Sequence, residues 1–177
     1  MPTIKPFRDY DEHDVLNFFR YSGSIPVNKG TFVKIIGSGF RADNQDTQFL
    51  GDIGFDYQNV VSERYGVTPM VTAANSGDAV IGMLLYDVRE TDENGEKLIF
   101  HPNRAKENDQ VWSGQVVPVV TRGVFLYSGI LDQPVAGGTA YLSGANGIST
   151  NSNGTTVVGK FLGAKDANGF ALIRIDL

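Results

Sequence analysis

Apolar positions along this chain recur mostly at a spacing of two. "TFVKII", starting at Thr31 after Lys29–Gly30, reads as a strand by its β-branched residues and its alternation. "AVIGMLLYDV", Ala79 to Val88, is a largely apolar run of strand length. "QVVPVV" and "GVFLYSG" read as two strands divided by Thr121–Arg122. Pro118 has no N–H for a ladder and is expected at an edge or a bulge. Four further short strands follow: "TAYLSG", "GIST", "VVGKFLG" and "GFALIRIDL". Asn94–Gly95 favours a type I′ turn into "EKLIF", and Asp166–Ala167–Asn168–Gly169 makes the last turn. The pattern predicts an all-β fold.

Two kinds of segment break the alternation. Residues 1–29 combine Pro2, Pro6 and Pro26 with Phe7, Tyr10, Phe18, Phe19 and Tyr21. Within them, "DEHDVLNFFR" predicts a short helix, with Asp11 as N-cap and Val15, Phe18 and Phe19 on one face. A helix of two or three turns is marginal without a surface to pack on. The segment either folds back on its own domain or forms an arm that docks on a neighbour. The stretch Phe40–Asn75 is polar, aromatic and without a period. Asp56 to Arg64 has room for one helical turn, and "HPNRAKEND" for a short helical or turn insertion.

A repeat connects the remainder. "PVNKGTFVKIIGSG" (Pro26 to Gly39) matches "PVAGGTAYLSGANG" (Pro134 to Gly147), and "AVIGMLL" (Ala79 to Leu85) matches "TVVGKFL" (Thr156 to Leu162), in the same order. Each second phrase leads to an Asn-Gly turn and a closing strand. Two similar halves pairing into a closed or nearly closed barrel leave few sheet edges open to aggregation. The expected organisation is an N-terminal arm with a short helix over 1–29 and a β-barrel-like domain over 30–177, with short helical or irregular insertions at about 40–75 and 89–109.

Composition narrows the chemistry. A chain of 177 residues suits one domain with an arm, and 21 glycines favour turns and β-structure. With no cysteine, disulfides, thiolate catalysis and cysteine zinc sites are excluded. A net charge of −5, with no run of Lys or Arg, argues against nucleic acid as a partner. No apolar run reaches the roughly 20 residues of a membrane helix, and no signal-peptide pattern opens the chain. "GSGFRA" is followed by "DNQDTQ", a poor helix start, so it reads as a turn rather than a dinucleotide loop. "ETDENGEKLIFH" ends on His101 where a calcium loop needs glutamate, so it reads as a hairpin. Asp43, Asp46 and Asp52 lack ligand spacing, and His13 and His101 stand in separate segments. No catalytic, cofactor or metal site is predicted. Asn153–Gly154–Thr155 matches a glycosylation acceptor, which has no role without secretion.

The ordered phrases "GTFVKI", "AVIGMLLYDV", "VVPVVTRGVFLYSG", "PVAGGTAYLSGANGIST" and "TVVGKFLGAKDANGFALIRIDL" resemble the head decoration (capsid cement) proteins of tailed bacteriophages. The resemblance spans Thr31 to Leu177 outside the two insertions; the insertions and the aromatic arm exceed the family pattern. It implies a barrel-like structural virion protein, not an enzyme, that binds and stabilises the outside of an expanded shell. Its partner is then the major capsid protein of an HK97-type shell. It is made in the host cytoplasm, acts at the capsid exterior, and assembles as a homo-oligomer, commonly a trimer, with neither nucleic acid nor membrane as partner. On this reading Ile4, Phe7, Tyr10, Val15, Phe18 and Phe19 of the arm are expected to touch shell or neighbour. Phe49, Phe55, Tyr57 and Tyr65 are expected to contact other subunits. The competing expectation is a virion-surface carbohydrate-binding module using Trp112 and exposed tyrosines.

Overall fold

The computed structural model describes residues 4–6, 14–37, 39, 69–85, 110–144, 147–152 and 156–177. They form eleven strands and no α-helix. In chain order these are β1 (Ile4–Pro6), β2 (Val15–Tyr21), β3 (Phe32–Ile36), β4 (Met70–Ala73), β5 (Gly82–Leu84), β6 (Val116–Val120), β7 (Arg122–Tyr127), β8 (Thr139–Leu142), β9 (Ile148–Ser149), β10 (Val157–Phe161) and β11 (Ala171–Asp176).

The two halves share one strand order. In the first, the hydrogen-bonded order is β4-β3-β5-β6-β2, and β2 returns to β4 to close a five-stranded barrel. In the second, the order is β9-β8-β10-β11-β7, with β1 added beyond β7. Counted from the start of each half, the two orders are the same. The end-to-end joins also correspond in position. The first ring shuts through a parallel contact of β2 with β4, where the Ser22 N–H donates to the Val71 carbonyl at 2.9 Å. The second half is a sheet that its ladders leave open, joined end to end only by an isolated parallel bridge, Ile130 to Ile148, where the Leu131 N–H donates to the Ile148 carbonyl at 3.0 Å.

The sequence repeat therefore marks a structural one. β3 pairs with β5 as β8 pairs with β10, all antiparallel, with the register displaced by one residue at a bulge in β10. The repeated glycines explain their identity by close approach. A Cβ on Gly82 would run into the Val119 side chain and the Val120 carbonyl, and one on Gly159 would run into the Arg174 carbonyl.

Two cores result. Phe19, Tyr21, Val27, Val33, Val71, Leu84, Val111, Val117 and Val119 fill the first ring. Phe32, Met83, Leu85 and Val120 leave that ring on its outer side and join Phe125, Tyr127, Leu142, Phe161, Ile173 and Ile175 of the second half. Tyr127 sits at the centre of this contact. Its ring meets Phe32 edge-on at 6.1 Å between centroids, and its hydroxyl donates to the Gly30 carbonyl at 3.1 Å. Strands β5 and β6 are thus covered on both sides, which is why they read as unbroken apolar runs. β7 and β11 are covered on one side only, which is why "RGVFLY" and "ALIRID" alternate.

Several expectations are corrected here. The short helix expected in "DEHDVLNFFR" is a strand from Val15 to Tyr21. A short helix gains little alone, whereas this segment gains ladders with both β6 and β4. The first 29 residues are consequently not a separate arm in their described part. β1 belongs to the second half and β2 to the first. The aperiodic stretch 40–75 ends in a strand, β4, that completes the first ring. Pro118 stands opposite a bulge in β2, where Leu16 faces Val119 and Phe19 faces Val117. Its carbonyl still accepts from the Leu85 N–H at 3.1 Å, just beyond the end of β5. The Asn94–Gly95 turn and the insertion at 101–109 lie outside the described residues.

Candidate docking surface

The residues expected to make outside contacts fall into three groups. Ile4 and Phe19 are buried in the chain's own cores, and Val15 packs partly against one of them. The Ile4 and Phe19 side chains face inward because β1 and β2 are structural strands, so the expected contact role is corrected for these two, while Val15 is half-buried. Phe18 lies in β2, with its side chain outside the described residues. Phe7, Tyr10, Phe49, Phe55, Tyr57 and Tyr65 lie outside them altogether, as do His13, His101 and the Asp43, Asp46 and Asp52 cluster.

What the strand pairing assembles instead is a continuous outward face on the second half. In its first row, Lys5 of β1 lies opposite Leu126, Leu126 opposite Leu172, and the Leu162 N–H joins the Leu172 carbonyl at 2.8 Å. In its second row, Val124 lies opposite Arg174, Arg174 opposite Lys160, and Lys160 opposite Thr139. In a third, Arg122 faces Asp176. The alternating burial of β7 and β11 sets these side chains away from the core.

The face is basic in an acidic chain. Among the described residues it carries four cations, Lys5, Arg122, Lys160 and Arg174, against one carboxylate, whereas the chain as a whole has a net charge of −5. Asp176 is shared between the Arg174 guanidinium at 3.0 Å and that of Arg122 at 3.7 Å. The Lys5 ammonium stands 5.1 Å from the centre of the Phe170 ring. Sequence reading found no Lys/Arg cluster because these residues come from four strands. The available signal was one outward cation in each of "RGVFLY", "VVGKF" and "ALIRID"; the register that aligns them is not legible in a string.

Two polar clusters support the framework. Asp132 lies just past the bridge that joins the ends of the second half. It accepts from Ser149 Oγ at 2.7 Å, from the Thr150 N–H at 3.0 Å and from Thr150 Oγ1 at 2.9 Å. Desolvation pushes its carboxyl up, but these hydrogen bonds outweigh it and hold the pKa below the ordinary value. The Lys165 ammonium donates to the Ile130 carbonyl at 2.9 Å on the same seam. Elsewhere, Asp78 accepts from the Asn75 N–H at 2.7 Å and pairs with Lys34 at 2.9 Å, and these lower its pKa in that order. Thr156 Oγ1 donates to the Asp78 carbonyl and accepts from the Gly77 N–H, which ties the second half to this turn of the first.

Beyond the face, large apolar side chains are exposed at loops. Ile25 (73%) and Trp112 (42%) flank the bridge of Val27 with Val111, and Leu131 (65%) and Val135 (72%) lie between β7 and β8. No protein-family model matches this chain, and comparison with curated proteins returns no match.

Proposed function

We propose that the protein is a structural virion component that binds the outer surface of an expanded phage capsid and stabilises it. The major capsid protein of an HK97-type shell is its partner, and a homotrimer is its favoured assembly. The observation that carries this reading is the outward face of the second half, where leucines and cations are held in rows on a hydrogen-bonded framework. The ordered resemblance to decoration proteins supports it. A cement protein needs a rigid body and a fixed contact surface more than a reactive group. Binding only the expanded shell stabilises that state by mass action. Many symmetric copies acting together make modest single contacts effective.

The test is co-sedimentation of the full chain with expanded shells stripped of decoration, counting bound copies at saturation. Saturation at a ratio matching three-fold or quasi-three-fold positions is expected. Absence of saturable binding overturns the reading. The alternative, a virion-surface carbohydrate-binding module, draws on the exposure of Trp112. It predicts saturable changes in Trp112 fluorescence on addition of sugars.

A further inference from the structure

We infer that the outward face of the second half, centred on Lys160 and Arg174, docks onto an acidic protein surface that bears apolar side chains. The inference rests on the capsid reading only for the identity of that surface; the chemistry comes from the face itself.

Lys160 and Arg174 are directly opposite each other on adjacent antiparallel strands. Side chains in that position have Cβ atoms about 5 Å apart, and like charges there repel. Arg174 is compensated by Asp176. Lys160 has no carboxylate partner among the described residues, and its other cross-strand neighbour is Thr139. Among the described residues, only the Arg174–Asp176 pair tempers this repulsion. A carboxylate supplied from outside, set between the two cations, removes it. Electrostatic complementarity of this kind orients a partner and speeds encounter.

Beside the cations runs the row of Leu126 and Leu172, extended by Leu162, which is 43% exposed. Leucines on a sheet face have no stacking use for bases, so the row favours a protein surface over a nucleic acid. The partner is therefore acidic with an apolar strip, complementary to both rows.

The decisive variant is Lys160→Glu. It turns a repulsive cross-strand pair into an attractive one, so the melting temperature should rise by about 1–3 °C. The same change removes the centre of positive charge, so docking should weaken by about tenfold. A folding defect cannot produce that combination. Lys160→Arg should keep wild-type binding. Three probes are used with the full chain: expanded shells, a short Glu/Leu peptide, and a single-stranded oligonucleotide.

The proposal is supported if the Glu/Leu peptide binds wild type, is lost in Lys160→Glu, and weakens as salt rises from about 50 to 200 mM. If the peptide behaves this way but shells do not bind, the face stands and the capsid reading falls. If shells bind wild type and Lys160→Glu equally, the capsid reading stands and this face is overturned. Preferential binding of the oligonucleotide overturns the choice of a protein partner.

Discussion

The two halves of this molecule share a strand order and differ in what surrounds it. The first ring is filled inside and covered on one outer side, so β5 and β6 have no free face. The second half uses its inner side to cover the first and keeps its outer side for water. Repetition of a topology thus yields two roles. A strand buried on both sides is constrained at every residue. A strand buried on one side is constrained at every second residue, and its other positions are open to charge and recognition. The basic face exists on the second half because that is where alternate positions are released.

Glycine substitution gives the sharpest contrast between the halves. Gly82→Ala should cost more than about 3 kcal/mol in chemical denaturation, because both obstructing groups are buried in the first ring with no room to yield. Gly159→Ala meets backbone only, the Arg174 carbonyl and the Ile175 Cα of β11, a strand whose free side leaves it room to shift, and should cost about 2 kcal/mol. Equal costs would break the distinction drawn between the halves.

The contact between halves is tested next by Tyr127→Phe. Loss of the hydroxyl leaves the Gly30 carbonyl without this donor and should cost about 1–2 kcal/mol. Burial pushes the Tyr127 phenol pKa well above its ordinary value. The fold therefore favours the neutral phenol. Its contribution is complete below about pH 10, the unfolded value, and is lost as the pH rises beyond it. Wild type should lose more stability than Tyr127→Phe across that alkaline range; identical losses would remove Tyr127 from the account.

The two seams differ least in energy but can be separated by position. Asp132→Asn should cost about 1 kcal/mol and speed amide exchange at Leu131, while exchange at Ser22 in the first seam stays unchanged. The Asp132 carboxyl is held below its ordinary pKa. Its contribution is present above the unfolded carboxylate value and is lost as pH falls through the lowered one. Acidification should accordingly loosen the second seam before the first. Simultaneous loosening would show that Asp132 is not what separates them.

Much of the framework was legible because strands leave short-range traces. The phrases from Thr31, Val116, Arg122, Thr139, Val157 and Ala171 all became strands, and the bulge opposite Pro118 followed from its missing N–H. What misled was the start of the chain. Val15, Phe18 and Phe19 fit a helical face locally, and only pairing with residues about a hundred positions away makes them a strand. β4 was hidden because Met70–Ala73 offers just four residues at the end of an irregular stretch. The face was the least legible feature. Lys5, Lys160 and Arg174 are unremarkable singly, and their meeting is a property of register.

The placement of β1 has a kinetic consequence. Ile4 pairs with Tyr127, more than 120 residues later in the chain. Such a contact closes a long loop and belongs to the slow end of the folding range. During synthesis at about 5–20 residues per second, β1 must wait several seconds before its partner exists. The first ring is complete once β6 has emerged, and its exposed outer side then serves as the template on which the second half assembles. β1, made long before its partner, is therefore among the last strands to find its place.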